Sequence, residues 1–390
     1  ATIFPGTDAF LLHDTYGFPL DLTQLMAEEK GLQVDTASFH QAMAEQRERS
    51  GKAREKKFTS LAIHIPTKSS TFVGYDQDET RATVLYYKDG LLVLDQTPFY
   101  AESGGQVGDT GVIQNDRFEF HVADTKYIGE HIVHFGQIIK GKAPQVGDRV
   151  VAVIDKNKRR STERNHTVTH LVHKALRSVL GEHVHQAGSL VHPEYMRFDF
   201  THFEKVKADD LQQIEDIVNS KILENMPVIW HMTNFDNARE KGAMALFGEK
   251  YGDEVRMVEI DDYSRELCGG THVRATGEIG DFVIVSESAV ASGIRRIETL
   301  TGFSARRYLK SRCEIVDKAA RLLGCPYNDI AERIDDLLDE RKKMEKELEQ
   351  LRQQHSHTMI ADILTTAQDV HGVRVVAAQV QVANMDELKN

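Results

Sequence analysis

The sequence predicts an α+β, multidomain chain, and three observations carry that prediction. Hydrophobic periodicity shifts along the chain, from helical spacing to short alternating strands and back to helical spacing. At 390 residues there is length for roughly two to four domains with ample core. Two motifs far apart in sequence, HTVTH (His166 to His170) and CGGTH (Cys268 to His272), place ligand-type side chains in the mixed part. The predicted order is N-terminal helices, a small β-barrel, a zinc-bearing α+β domain, and a helical hairpin or coiled coil.

Residues 1–57 read as helical. Asp21 caps a helix running to Lys30 and closed by Gly31; Asp35 or Thr36 starts another through the AMAEQRER stretch. Ser50 to Lys57 (SGKAREKK) is polar and basic, as a linker is. Over 58–155 the pattern becomes strands. ATVLYY and LLVLD flank Lys88-Asp89-Gly90, GVIQ and FEFHVA flank Asn115-Asp116-Arg117, and DRVVAVID adds another strand. Short strands on tight turns predict a small barrel.

Residues 156–302 form the α+β domain. Helices are expected at 161–180 and around 209–225. Strands are expected at Met196 to Phe200, Val255 to Ile260 and Asp281 to Glu287, while GAMALFGEKYG (Gly242 to Gly252) reads as a loop with a short helix. Over 303–358 a helical hairpin is expected, turning at Pro326 to Asn328. Ile330, Ile334, Leu337, Met344, Leu348 and Leu351 fall at heptad a and d positions of its second helix. Arg341 and His355 occupy two a positions, and an intramolecular antiparallel pair is preferred over an intermolecular coiled coil. Residues 359–390 begin a strand-rich unit (GVRVVAAQVQVAN) with no room to complete itself.

The helix that ends at Leu180, before Gly181, carries His166 and His170 four residues apart, hence on one face. Gly269-Gly270 lets the second motif turn tightly and carry Cys268 and His272 inward. His, His, Cys and His are donors that zinc takes tetrahedrally. Among 18 His, a pair at i and i+4 also arises by chance, as a polar helix face or a packed imidazole. The Cys-x-x-x-His in a Gly-Gly loop tips the reading to one Zn2+ ion. Four good donors suit a closed structural site; three, with His272 weakly bound and water in the fourth place, suit catalysis. A zinc that orders the pocket is preferred to one that activates water.

Charge and cysteine usage bound the partners. A net charge of −12 weighs weakly against nucleic acid, but the local field decides. KNKRRSTER (Lys156 to Arg164) and Arg295-Arg296 with Arg306-Arg307 are basic clusters flanking the two motifs, readable either as solvated faces or as RNA contacts. Three Cys, with Cys313 and Cys325 singly placed, form no disulfide framework, as in a reducing cytoplasm. No apolar run is long enough to span a bilayer, so no membrane partner is expected. No signal peptide precedes Ala1, which leads straight into structured-looking sequence and makes the chain read as an excised fragment. No GxGxxG or Walker-type loop is present.

HTVTH followed by CGGTH is similar to the editing domain of alanyl-tRNA synthetases and their free-standing relatives. The related domain of threonyl-tRNA synthetases shares the four-ligand pattern, so these motifs alone give the superfamily. DTYGFPLDLT (Asp14 to Thr23), PFYAESGGQVGDTG (Pro98 to Gly111) and SGIRRIETLTG (Ser292 to Gly302) resemble alanyl-tRNA synthetase segments in the family's order.

The resemblance implies hydrolysis of seryl and glycyl esters of alanine tRNA, with the acylated 3′ end as partner. A pocket built for alanine discriminates poorly against glycine and against one added hydroxyl, hence the second site. It implies that residues 1–57 end a helical tRNA-binding domain and that the class II ligase domain, with its ATP and Mg2+, is absent. It makes Gly104, Gly105 and Gln106 a wall of the cleft. Thr167 and Thr169 become recognition residues, with Thr169 preferred for the serine hydroxyl, although a helical Thr usually bonds its own backbone. Gln186 is a pocket residue by the same resemblance, otherwise an ordinary exposed amide; His183, His185 and His192 read as surface. Lys158, Arg159, Arg160, Arg164, Arg295 and Arg296 become candidate tRNA contacts. Residues 359–390 resemble the start of a C-terminal globular domain, through which the full chain would form a homodimer. The competing readings are a complete free-standing editing protein, or a zinc-stabilised tRNA-binding module without hydrolysis.

Overall fold

Alternating burial along residues 79–154 follows from strands that put one face on a shared interior. The computed structural model describes residues 2–16, 20–39, 41–43, 65, 67–244 and 254–379. Contacts divide the chain into two units, Ala1–Tyr308 and Leu309–Asn390. The α+β reading holds. No described helix is long and apolar enough to cross a membrane.

The first unit opens with strand β1 (Thr2–Phe4), helices Gly6–Tyr16 and Leu20–Glu29, and β2 (Leu32–Val34), which pairs parallel to β1. Reading the segment as wholly helical missed these strands, because three residues are too few to show alternation. Asp35 caps the next turn, accepting from the Ser38 N–H at 3.0 Å. The continuation of that helix past Met43 and the Ser50–Lys57 linker lie outside the described residues.

Strands β3 (Thr71–Phe72) and β6 (Gln96–Thr97) pair with each other. Six strands, β4 (Glu79–Lys88), β5 (Leu91–Leu94), β7 (Gly111–Gln114), β8 (Phe118–Ile128), β9 (His131–Gly141) and β10 (Arg149–Ile154), close a barrel in the order β10-β4-β5-β9-β8-β7. Val84, Leu92, Leu94, Ile113, Phe120 and Val122 fill it. The first hairpin turns on Asp89 and Gly90, both in the left-handed region (φ 49 and 82), as a tight two-residue turn demands.

One helix, Lys156–Leu180, leaves β10 directly. It starts before the expected Ser161 because Asp155 caps it, accepting from Asn157 and Lys158 backbone N–H groups. Arg159, buried in its first turn, pairs with Asp109 and donates to the Gly74 and Pro98 carbonyls at 2.7 and 2.8 Å. It fastens helix to barrel and is not available to RNA, contrary to the basic-cluster reading. A run of positive residues does not tell which one turns inward.

Beyond the helix, β11 (Gln186–Val191), β12 (Met196–Thr201), β16 (Phe282–Ala291) and β17 (Ile294–Thr301) form a sheet in the order β11-β12-β17-β16. A second sheet joins β13 (Val228–Asn234), β14 (Glu254–Ile260) and β15 (Ser264–Leu267). Helix Ala208–Leu223 packs its Ile214, Val218 and Ile222 into the core shared with Leu171 and Leu176. Of GAMALFGEKYG, residues 245–252 lie outside the described residues. Barrel and sheet are joined by backbone: Val191 N–H donates to the Gly105 carbonyl at 2.7 Å and Val107 N–H to Val191 at 3.1 Å.

Helix Gly302–Leu323 leads into the second unit, which holds helix Ile330–Thr365 and the hairpin β18 (Gln368–Val370) with β19 (Val373–Val375). The long helix runs past the expected end at 358, since no breaker precedes Thr365. Ile334, Leu337, Met344, Leu348 and Leu351 are exposed, as are Ile315 and Leu322 on the preceding helix. The intramolecular seam is therefore not formed: periodicity marks an apolar face, not what covers it. Of the strand-rich end, residues 380–390 lie outside the described residues.

Two stability tests follow. Arg159→Met leaves Asp109 buried and unpaired, and chemical denaturation should show a loss of about 3–5 kcal/mol. His134 is fully buried, with Nδ1 at 2.9 Å from the Leu92 carbonyl and Nε2 at 2.8 Å from the Thr97 hydroxyl. Burial pushes its pKa down to about 4, against about 6.5 in an unfolded chain. Between those values the unfolded chain binds the extra proton and the folded one does not. Stability is therefore uncompromised above about 6.5 and falls as pH drops toward about 4, by up to about 1.4 kcal/mol per pH unit. In His134→Gln that part of the slope should vanish; an unchanged slope rejects the assignment.

Candidate metal centre

Two backbone features bring the motifs together. Helical spacing sets His166 and His170 on one face, while the chain leaving β15 carries Cys268 and then turns through Gly269-Gly270 to His272. A Cβ at Gly270 would collide with the His166 ring, so only glycine lets the loop approach the helix. Three barrel and strand contacts hold that loop. The Arg256 guanidinium donates to the Cys268 and Gly270 carbonyls at 2.9 and 2.7 Å, and the Tyr75 hydroxyl donates to Gly269 at 2.7 Å. Arg256 lies over the Tyr75 and Trp230 rings, 4.2 and 4.6 Å from their centroids.

The result is four donor atoms within 4.8 Å of one another, from His166, His170, Cys268 and His272. Nε2 of His166 and of His272 stand 3.3 and 3.4 Å from the Cys268 sulfur. Each imidazole's other nitrogen is fixed from outside the group. His166 Nδ1 meets Gln106 Oε1 at 2.7 Å, His170 Nδ1 meets Glu266 Oε2 at 2.7 Å, and His272 Nδ1 meets the Thr167 hydroxyl at 3.2 Å. Such outer bonds select the tautomer whose Nε2 lone pair faces inward.

The local electrostatics suit a cation among these donors. Burial alone would raise the Cys268 thiol, but the neighbouring His166 and His272 imidazoles hold it well below its ordinary value. Burial pushes the His272 imidazole's own pKa down to about 3. For His170 and Glu266, burial opposes both charges, and their mutual attraction reverses it, so the imidazole rises and the carboxyl falls. His170 Nε2 is buried with no hydrogen-bond partner among the described residues. A cation at the centre would replace the His170 proton and satisfy that nitrogen. The donor set fits a metal ion.

The other expected site residues separate into two groups. Gln106 is fully buried, its Oε1 also accepting from Thr271 N–H at 3.0 Å, so it supports the centre rather than lining open space. Gly104 and Gly105 take left-handed conformations (φ 56 and 83), and a Cβ on Gly105 would strike Ser189. Gln186 donates to the Ser189 hydroxyl at 3.1 Å, on the strand against that glycine. Thr167 is tied to His272 and accepts from Val273 N–H at 3.2 Å, whereas Thr169 back-bonds to the Asn165 carbonyl at 2.8 Å. Thr169, preferred from the sequence, therefore spends its hydroxyl on its own helix.

Most of the basic candidates are paired with carboxylates. Arg160 bonds Asp78 at 2.9 Å and Glu163 at 2.7 Å, Arg296 bonds Asp199 at 2.6 Å, and Arg295 bonds Glu287. Lys158 and Arg164 instead donate to the Thr110 hydroxyl and the Glu278 carbonyl. His183 and His202 stack on each other at the surface.

Glu266, His173 and Arg256 were missed. His173 continues the His166–His170 face by another three residues and its Nδ1 meets Glu266 at 3.0 Å, so a signal existed in the HTVTHLVH spacing. Glu266 and Arg256 carried none, since their roles depend on pairing between β14 and β15. A cavity of about 400 Å³ borders His272 and is lined by Tyr75, Trp230, Asp76 and Arg274.

Residues 1–158 match a sequence model described as tRNA synthetases class II (A), and residues 255–298 match the threonyl and alanyl tRNA synthetase second additional domain. The first match leaves the expectation of an absent ligase domain unsupported. The chain is 44% identical to the alanine–tRNA ligase of Thermoanaerobacter sp. (strain X514) over 408 residues, covering 100% of this chain and 46% of that protein. It is 42% identical to that of Alkaliphilus oremlandii and 43% to that of Hydrogenovibrio crunogenus, again with 100% of this chain and 46% of each relative aligned. The chain thus spans about half the length of the curated relatives it matches.

Glu266→Gln keeps the shape but weakens the bond that orients His170. Metal affinity, read by chelator competition, should fall roughly 10–100-fold. Unchanged affinity would show that Glu266 does not hold the ligand.

Proposed function

We propose that this chain, alanyl-tRNA synthetase-like along its whole length, is an aminoacyl-ester hydrolase acting around one Zn2+ ion. Its substrates on this reading are seryl and glycyl esters of alanine tRNA. The observation that carries it is the convergence of three imidazole Nε2 atoms and a thiol sulfur beside a cavity of about 400 Å³. When bound, zinc supplies positive charge and Lewis acidity in that cavity.

The chain's own residues supply the rest. Cys268 and His272 are the half-buried members of the group, so they form its accessible side. His166, His170 and Glu266 anchor it from the buried side. Thr167, rather than Thr169, bonds a member of the group directly, and its buried hydroxyl beside His272 is our candidate for reading a serine side chain. The Gly104-Gly105 turn and Gln186 on β11 meet at Ser189, which supports reading them as one polar wall of the substrate path. Serine and alanine esters differ by one hydroxyl, and a site that hydrogen-bonds it discriminates where an apolar pocket cannot. The alanine–tRNA ligases named above are matched over part of their length, so ligation with ATP and Mg2+, action in the cytoplasm and dimerisation through a C-terminal region are proposals for a whole protein of that kind.

One feature favours a second reading. Four protein donors fill a tetrahedral site, as in structural zinc centres, which would make the chain a zinc-stabilised tRNA-binding module. Deacylation of serine-charged alanine tRNA separates the two. Cys268→Ala should slow hydrolysis by more than about 100-fold, beyond what loss of an outer partner costs. Equal rates would reject the metal-centred hydrolase, and binding without turnover by the unaltered chain would favour the module.

A further inference from the structure

We infer that a second cavity, of about 540 Å³, seats the single-stranded, phosphate-bearing stretch of RNA that precedes the acylated terminus. This rests on the hydrolase reading above. The cavity lies between the barrel, the first turns of helix Lys156–Leu180 and the first turn of helix Gly302–Leu323, and its volume suits a ligand cleft.

Charge argues for an anionic occupant. Lys158, Arg164 and Arg307 line the cavity, and among the described residues none of them is paired with a carboxylate. Four other basic residues of the two clusters each have a carboxylate: Arg159 has Asp109, Arg160 Asp78, Arg295 Glu287 and Arg296 Asp199. Of the acids at the cavity, Asp109 is spent on Arg159 and Asp124 on Lys126, leaving Glu194. Uncompensated cations that share a cavity create the local positive field that phosphates follow.

An aromatic platform argues for a polynucleotide rather than a bare anion. Phe303 lines the same cavity and is 76% exposed. An exposed ring beside cations is the combination on which unpaired bases stack. An acidic peptide would use the cations but has no need of the ring.

Position argues for continuity with the metal centre. Lys158 and His166 lie on one helix, about 12 Å apart along its axis, a distance that a strand of a few nucleotides spans. Asn165, beside the first ligand, donates to the His192 carbonyl at 2.6 Å and accepts from the Thr301 hydroxyl at 2.7 Å. His192 and Thr301 both line the cavity, so its wall is tied to the residue next to His166.

The test compares two esters, seryl-tRNA for alanine and seryl-adenosine, with the unaltered chain, Lys158→Ala/Arg307→Ala and Phe303→Ala. The double variant should raise KM for the tRNA ester roughly tenfold relative to KM for the adenosine ester. Its slope of log affinity for uncharged tRNA against log salt should flatten by about 1.4, two single-strand phosphate contacts. Phe303→Ala should weaken tRNA affinity without changing that slope. If the double variant leaves both the KM ratio and the salt slope unchanged, the cavity does not hold RNA. A flattened slope with no effect of Phe303→Ala would point to phosphate without base stacking and overturn the platform. Should the unaltered chain hydrolyse neither ester, the hydrolase reading fails, and anisotropy of labelled uncharged tRNA still decides the cavity through its salt slope.

Discussion

Three imidazoles can point their lone pairs at one spot only if something else occupies their remaining nitrogens. Here a glutamine from the barrel, a carboxylate from β15 and a threonine from the helix itself do that, at 2.7, 2.7 and 3.2 Å. The partners come from different elements, so the centre exists only when barrel, helix and second sheet are assembled. Gly105 lying against β11 and Arg159 reaching back to Asp109 are two of the joints that set this assembly. A rotated barrel would withdraw Gln106 from His166 and free that ring. Packing between domains is thereby converted into ligand orientation.

How much of this was legible depends on how local the cause is. The barrel strands were readable because alternation and a turn such as Asp89-Gly90 act within a few residues. The clustering of the four candidate donors was readable because both halves are short motifs. The partners of the ligands were not: Gln106 is 60 residues from His166 and Glu266 is 96 from His170. Nothing in either local sequence marks them as neighbours. The heptad pattern around Ile334 and Leu348 failed differently, since periodicity identifies a face and is silent on its partner.

Charge followed the same logic. Composition counts Arg159, Arg160, Arg295 and Arg296 as positive surface, while the fold gives each a carboxylate. Of these, Arg159 with Asp109 is a buried pair, which costs desolvation and fixes the arrangement more than it adds net stability. What remains for an outside anion is the part of the basic cluster that pairs with no carboxylate among the described residues, at Lys158 and Arg164. Net charge therefore says little about RNA binding; what pairing leaves over says more.

The closed donor set also bears on where selectivity resides. A centre with four protein donors offers a substrate no vacant position unless one donor yields. Cys268 and His272 sit on the accessible side, and His272 is held by a single 3.2 Å contact to Thr167. His170, by contrast, is locked by an ionised carboxylate. The donor with the weakest outer support is thus the one bordering the cavity, next to the Thr167 hydroxyl proposed above as the reader of serine. On the proposed hydrolase reading, recognition and any loosening of the centre would share one residue, Thr167, and a hydroxyl-bearing ester would compete for the bond that keeps the site closed. An alanyl ester, with nothing to offer that hydroxyl, would leave the bond in place.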